Sequence, residues 1–254
     1  MRTLTIMLVL VVLGAFPARA DDMQKYLSDT QALVRQGSYE EALQRFIWFH
    51  EHALEHNPGM YGVRLSFALG YWKDLGEVYP PALEALKRIR DEDTATLSSG
   101  RDDYHLFHDV MALNRTLGEN SKTVELFQQL DESGDGRAAA YWRIAKDDVI
   151  AARRYDLVRK YGGNLLKEFD GVKALYAENV SLYPQFEDAD PYFKSFNEDN
   201  FVEESLQLIE VALALGEAEA AEAIREKALA VLDDERLREE ISPEHQPDPE
   251  GEGE

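Results

Sequence analysis

The histidines form the first group of side chains whose spacing could support chemistry. His52 and His56 lie four residues apart, so they would share one face of a helix at a spacing that can bind zinc. The helical motif His-Glu-x-x-His is incomplete, because Leu54 stands where the second histidine would follow His50 and Glu51. A polar helix end is the simpler interpretation, since protonated imidazoles there interact favourably with the helix dipole. We therefore expect no bound metal ion, and a metal-binding protein or metal-dependent enzyme using the histidines and carboxylates remains the alternative.

An acidic turn gives the second chemical candidate. The segment Asp131-x-Ser133-x-Asp135-Gly136 matches the first half of a calcium-binding EF-hand loop. The twelfth position of such a loop requires a bidentate glutamate, and Trp142 occupies it here. We therefore predict a plain acidic turn with a hinge-like character.

Motifs for covalent catalysis and for phosphate binding are absent from the sequence. It contains neither Gly-x-Ser-x-Gly nor Ser-x-x-Lys, and no serine has a recognisable base beside it. Gly162 and Gly163 form an isolated pair without the lysine of a phosphate-binding loop. We therefore expect neither an enzyme nor a cofactor.

The charge balance narrows the classes of partner. The 254 residues include 27 Lys and Arg against 49 Asp and Glu, for a net charge of −22 at pH 7. Such an acidic chain repels nucleic-acid phosphates and anionic lipid surfaces, whereas it favours a basic partner. The absence of cysteine excludes disulfides, thiolate metal sites and a cysteine nucleophile. With 44% hydrophobic residues, the chain can bury a sizeable core.

Residues 1–20 have the layout of a signal peptide. A basic residue precedes an apolar run from Leu4 to Phe16, and the segment ends in the cleavage pattern Ala-x-Ala. The run is shorter than the ~20 residues that span a bilayer. We therefore predict cleavage after Ala20, a periplasmic or secreted mature chain, and no membrane insertion after cleavage.

The spacing of apolar residues predicts an all-α fold. Apolar side chains recur at intervals of three and four, and no long window alternates with a period of two. Glycines separate successive segments, where a left-handed residue would end one helix before an antiparallel partner begins. The predicted turns between helices lie at Gly37, Gly76, Gly118, Gly216 and Ala151-Ala152. Larger interruptions are predicted as a hinge at 131–136 and an irregular loop at 184–200, which follows an extra helix at 165–182. The chain is predicted to end in a disordered acidic tail at 242–254.

One segment resembles a known repeat family. Residues 37–46 read Gly-Ser-Tyr-Glu-Glu-Ala-x3-Phe, which is similar to the turn and second helix of a tetratricopeptide repeat, and Pro58 resembles its closing proline. Residues 72–79 also spell the family's Trp-x2-Leu-Gly-x2-Tyr string. The prolines that follow at 80 and 81 would break the helix which that register requires, so we interpret Gly76 as an inter-helix turn. The chain resembles an exported bacterial member of this superfamily with degenerate repeats.

The resemblance implies a right-handed α-solenoid of antiparallel helix pairs, with about four to five units in residues 21–241. The first helix of each unit would line a concave groove, so we predict a non-catalytic scaffold that binds another protein or peptide in the bacterial envelope. Ordinary solvated helix positions are the alternative interpretation of the same residues. The predicted groove residues are Val63, Ser66, Lys73 and Asp74 in the second unit, and His105, His108, Arg115 and Thr116 in the third.

Overall fold

The computed structural model describes residues 20–186 and 192–239, and this part of the chain is helical without any strand, which confirms the all-α prediction. The predicted signal peptide, except for Ala20, and the predicted acidic tail lie outside the described residues. The helices are α1 (Ala20–Arg35), α2 (Tyr39–His56), α3 (Tyr61–Leu65), α4 (Phe67–Val78), α5 (Pro80–Ser98), α6 (Tyr104–Leu117), α7 (Ser121–Ser133), α8 (Arg137–Ala151), α9 (Tyr155–Tyr161), α10 (Leu165–Phe186), α11 (Phe193–Ala214), α12 (Ala218–Val231) and α13 (Glu235–Arg238).

The chain divides into two compact units. The N-terminal unit comprises Met1–Thr123 and the C-terminal unit Val124–Glu254, so the boundary falls within α7. Within each unit, consecutive helices pack against one another, as α1 and α2 or α10 and α11 do. Every helix in the described ranges is too short or too polar to cross a bilayer.

Large aromatic side chains hold the centre of the N-terminal unit. Ala42 and Phe46, the Ala-x3-Phe pair of the repeat-like segment, are both fully buried. The ring of Phe46 lies parallel to that of Trp72, with 6.3 Å between their centroids. The indole N–H of Trp72 donates a 3.0 Å hydrogen bond to the carbonyl oxygen of Ala82. Burial of these rings therefore joins α2, α4 and α5 in one core.

Most of the predicted turns are confirmed. Gly37, Gly118 and Gly216 each follow a helix with a left-handed backbone, at φ of 81°, 73° and 76°. The predicted turn after the eighth helix is also present, because α8 ends at Ala151 and α9 begins at Tyr155. A residue without a side chain adopts this conformation at little cost, so three of the four glycines were correctly assigned.

The predicted turn at Gly76 is wrong. It lies inside α4, has no left-handed backbone, and is buried against Leu83 of α5. The helix ends instead at Tyr79, because Pro80 occupies the first position of α5 and disfavours helical backbone in the residue before it. Gly76 therefore allows two helices to approach closely and does not form a turn.

This contact gives a stability prediction. In Gly76→Ala, the added Cβ would lie 3.1 Å from the Cβ of Leu83 and 3.2 Å from its backbone nitrogen. We expect overpacking of about 1–3 kcal/mol to exceed the ~1 kcal/mol that alanine gains in a helix. Gly70→Ala is the matched control, since Gly70 lies in the same helix with open space at its Cβ, and it should stabilise the protein. Urea unfolding of both variants tests this, and equal stability of the two would contradict it.

The predicted irregular loop at 184–200 is largely wrong. Pro184 lies in the last turn of α10, where it removes a single helical hydrogen bond, and α10 continues to Phe186. From Phe193 onward the chain is helical again, because Asn197 and Phe201 recur four residues apart and are buried on one face. Residues 187–191 lie outside the described ranges.

Of the predicted hinge at 131–136, residues 134–136 form a short turn between α7, which extends to Ser133, and α8. Gly134 and Gly136 have left-handed backbones, with φ of 66° and 89°. The carboxylate of Asp135 accepts a 2.7 Å hydrogen bond from Nε of Arg137, which lowers its pKa to about 2. Asp131 accepts hydrogen bonds from Lys160 and from the hydroxyl of Tyr161. The two aspartates of the calcium-like segment are therefore engaged by basic and phenolic side chains of their own unit.

Candidate functional site

The eight predicted groove residues occupy α3, α4, α6 and the Ser66 link between the first two of these helices. Ser66, Lys73, Asp74, His105 and Arg115 are exposed, whereas Val63, His108 and Thr116 are half-buried. The described contacts bring two of them together, His105 and His108, through a tyrosine that the sequence analysis did not single out. The groove assignment as a whole stays a prediction.

Tyr61 connects α3 to the two histidines of α6. Its hydroxyl lies 2.7 Å from Nδ1 of His108 and 3.3 Å from Nδ1 of His105. The tyrosine ring also lies against both imidazoles, with centroids 5.5 Å from His108 and 5.6 Å from His105. The spacing of three residues on α6 places both imidazoles on one face, which is why a single side chain reaches them.

Arg64, one turn after Tyr61 on α3, is buried beneath this contact. Its Nη2 donates to the carboxylate of Asp109, and its Nη1 donates a 3.1 Å hydrogen bond to the carbonyl oxygen of His50. The same Nη1 lies 3.3 Å from Nδ1 of the His50 ring. Its Nε is buried without a hydrogen-bond partner. These contacts link α2, α3 and α6, and we call the set His50, Tyr61, Arg64, His105, His108 and Asp109 the polar cluster.

Burial sets the protonation of the polar cluster. Loss of solvent, together with the positive charge of Arg64, lowers the pKa of His50 to about 3, so this ring is neutral. Burial also lowers the pKa of His108, with smaller contributions from Arg115, His105 and Arg64. The cluster therefore holds two imidazoles in their neutral form beside a permanent cation.

Two carboxyl groups show the opposite effect. Burial raises the pKa of Asp109 by more than the adjacent Arg64 lowers it. Burial and the charge of Asp109 raise the pKa of the half-buried Asp93, on α5, to about 6. A raised carboxyl pKa means that the folded protein disfavours the ionised form of that group.

The remaining histidines of the described chain lie along α2. The rings of His52 and His56 pack against Trp48, with centroid distances of 5.4 Å and 5.3 Å. Nδ1 of His52 also lies 3.3 Å from a carboxylate oxygen of Glu55. Within the described ranges, no group of three or more His, Asp or Glu side chains is placed to hold a metal ion. The metal-binding alternative therefore has no arrangement in this part of the chain to support it.

The C-terminal unit contains a cleft that the sequence analysis missed. It has a volume of about 350 Å³ and lies between one face each of α8, α10 and α11. The side chains of Val172, Tyr176 and Phe201 form an apolar floor, and Leu175 is 54% exposed at its edge. Asn179, Asn197 and Asn200 also line the cleft, so its lining is mixed polar and apolar, and its volume lies within the ~300–1,000 Å³ typical of ligand sites.

Gly171 keeps this cleft open. It lies on the same face of α10 as Leu175, and a Cβ at this position would meet nothing within 4 Å. One helical turn before Asn200, which lines the cleft on α11, Phe196 is 67% exposed. An exposed aromatic side chain therefore lies next to the cleft on α11.

Charged side chains of both signs line the cleft without pairing. Arg143 and Lys146 project from α8, three residues apart, and no carboxylate of the described chain lies within 4 Å of either. Glu168 of α10 and Glu204 of α11 are equally without an ion-pair partner there. In a chain with such an excess of acids, two unpaired cations beside an apolar floor are available to a ligand.

Comparison of the chain with protein-family models, curated proteins and solved structures finds no match in any of the three.

Proposed function

We propose that the protein is a non-catalytic scaffold that binds a segment of another polypeptide, and that the cleft of the C-terminal unit is a binding site. The observation that carries this proposal is the combination of apolar floor, exposed Leu175 and four unpaired charges in one cleft. A polypeptide segment supplies all the complementary groups, since it presents apolar side chains together with carboxylates and basic groups. Helices packed in antiparallel pairs, as in tetratricopeptide-like proteins, suit this role because they present an extended binding surface and require no catalytic site.

The charges of the chain and of the cleft favour a partner that carries both basic and acidic side chains. The whole chain, at −22, attracts a basic protein over long distance and accelerates the encounter. Within the cleft, Arg143 and Lys146 bind a carboxylate of the docked segment, while Glu168 and Glu204 bind its basic side chain. The signal-peptide layout of residues 1–20 supports export, so we propose that the scaffold meets its partner in the bacterial envelope.

A steric variant tests the cleft without loss of stability. In Gly171→Leu, a side chain would enter the open space of the cleft while improving the helix propensity of α10. We expect binding of the partner, isolated by affinity capture with the wild-type protein, to fall at least tenfold, with an unchanged or raised melting temperature. Gly70→Leu is the matched control, because it adds the same side chain at an open helical position of the N-terminal unit.

A charge variant tests the cations separately. Arg143→Glu with Lys146→Glu should weaken the same binding by about tenfold, since each charge-assisted contact contributes roughly 1.5–3 kcal/mol before solvent screening. The control is Lys167→Glu with Lys227→Glu, which reverses two exposed, unpaired cations of the same unit outside the cleft. Equal binding by Gly171→Leu, by both charge variants and by the wild type would remove the cleft from the account.

A further inference from the structure

The polar cluster has a consequence for the segment that joins α2 to α4, residues 57–66, which we call the α3 segment. Tyr61 attaches it to His105 and His108 of α6, and Arg64 attaches it to Asp109. Its apolar anchor consists of the buried Met60 and the half-buried Val63 and Leu65, which pack against the core of the unit. The side-chain hydrogen bonds between the α3 segment and α6 that are described above all involve titratable groups.

The attachment requires neutral imidazoles. Arg64 sits against the His50 ring, and the Tyr61 hydroxyl lies 2.7 Å from Nδ1 of the half-buried His108. A proton on His50 would place two cations in contact inside the core. A second proton on the His108 ring would leave its Nδ1 able only to donate to the tyrosine oxygen, and would add a charge close to Arg64 and Arg115. Both rings can take protons from solvent once the α3 segment moves away.

We propose that the α3 segment is a proton-driven latch, whose detached form gains population as the pH falls through about 6.5 while the other helices of the N-terminal unit remain folded. This inference is independent of the proposed cleft, which lies in the other unit.

The sign of the effect follows from the groups that surround the latch. His50 and His108 have lowered pKa values when attached, so the detached form binds more protons below 6.5 and gains population as the pH falls. Asp93 and Asp109 have raised pKa values, so they bind protons more tightly in the attached form and oppose detachment, Asp93 from about pH 6 downward. The other charged or titratable groups that act on the cluster are Glu92 of α5, Arg101 and Asp103 before α6, and Tyr104, His105 and Arg115 on α6.

These opposing groups determine the pH range over which attachment of the α3 segment changes most with pH. Between about pH 6.5 and 6, each histidine of the detached form takes up only a fraction of a proton, so the two together change the attachment equilibrium by no more than about fourfold over that half unit. Below about pH 6, the uptake by each histidine approaches one proton, and proton binding by Asp93 offsets part of it.

Hydrogen exchange of the full chain, measured by mass spectrometry at several pH values and corrected for the intrinsic chemical rate, tests the latch. We expect backbone amides of residues 57–66 to lose protection by up to about fourfold between pH 6.5 and 6, whereas those of α12 in the other unit change little. His50→Gln with His108→Gln keeps neutral hydrogen-bonding groups and should abolish this loss. An unchanged segment in the wild type, or equal loss in α2 and α4, would overturn the latch.

Asp93→Asn provides a second variant that leaves every contact of Tyr61 and Arg64 in place. It removes one of the two carboxyl groups that oppose detachment, so protection of residues 57–66 should fall more steeply below pH 6 than in the wild type, by up to about tenfold more per pH unit. The same pH course in this variant and in the wild type would show that the surrounding carboxyl groups do not act on the segment, and would contradict the proton balance above.

Discussion

Asp109→Ala should lower the free energy of unfolding by about 3–5 kcal/mol. The substitution removes the carboxylate that Arg64 contacts and leaves a guanidinium whose side chain is only 6% exposed. Its Nε already lacks a hydrogen-bond partner, so the buried cation would retain chiefly the carbonyl oxygen of His50. Chemical denaturation at neutral pH measures the loss.

A double substitution distinguishes the destabilisation caused by an unpaired buried charge from that caused by lost side-chain packing. Replacing the pair by Arg64→Met and Asp109→Leu removes both buried charges, and this variant should recover much of the stability lost in Asp109→Ala. The exposed pair of Lys25 and Asp29 is the control, because solvent screens it and Asp29→Ala should leave the free energy of unfolding nearly unchanged. A small effect of Asp109→Ala, comparable with that of Asp29→Ala, would show that Arg64 has access to water.

Phe201→Ala should be the second costly change, at about 3–5 kcal/mol. Phe201 is 1% exposed and lies between two aromatic rings, 4.6 Å from the centroid of Tyr176 and 6.2 Å from that of Phe169. Its removal would leave a cavity under the cleft and separate α11 from α10. The thermal midpoint and the urea midpoint should both fall.

Phe196→Ala is the matched comparison on the same helix. Its ring is 67% exposed, so its truncation should change stability by no more than about 0.5 kcal/mol. Partner binding should nevertheless weaken by about tenfold, since exposed aromatic side chains beside a cleft often dominate binding energy. A large loss of stability in this variant would mean that Phe196 is part of the core.

Local sequence patterns predicted much of the fold. Apolar spacing of three and four located the helices, and left-handed glycines at 37, 118 and 216 located their ends, because both signals depend on residues close in sequence. Gly76 was misassigned since a glycine at a turn and a glycine at a helix crossing look alike in sequence. The prolines at 80 and 81 carried the correct signal for the helix boundary.

The candidate sites were less predictable. His105 and His108 were singled out, but Tyr61 reaches them from 44 and 47 residues away, and Arg64 reaches Asp109 from 45 residues away. Short-range spacing carries no information on such contacts. The cleft was missed for the same reason, because Arg143, Leu175 and Glu204 meet only after three helices pack. The recurrence of residues 168, 171, 172, 175, 176 and 179 at helical spacing was the local signal on α10.

Site-specific photo-crosslinking tests the central claim, that the cleft binds a segment of another polypeptide. A photoreactive phenylalanine analogue would replace Leu175 or Phe196 in the full chain, produced in its own host, with the exposed positions Glu84 and Ala95 of α5 as controls. The account predicts an adduct with one defined segment of one protein from both cleft positions, lost in Gly171→Leu and absent from the α5 positions. Adducts that are equal at all four positions, or that persist in Gly171→Leu, would contradict it.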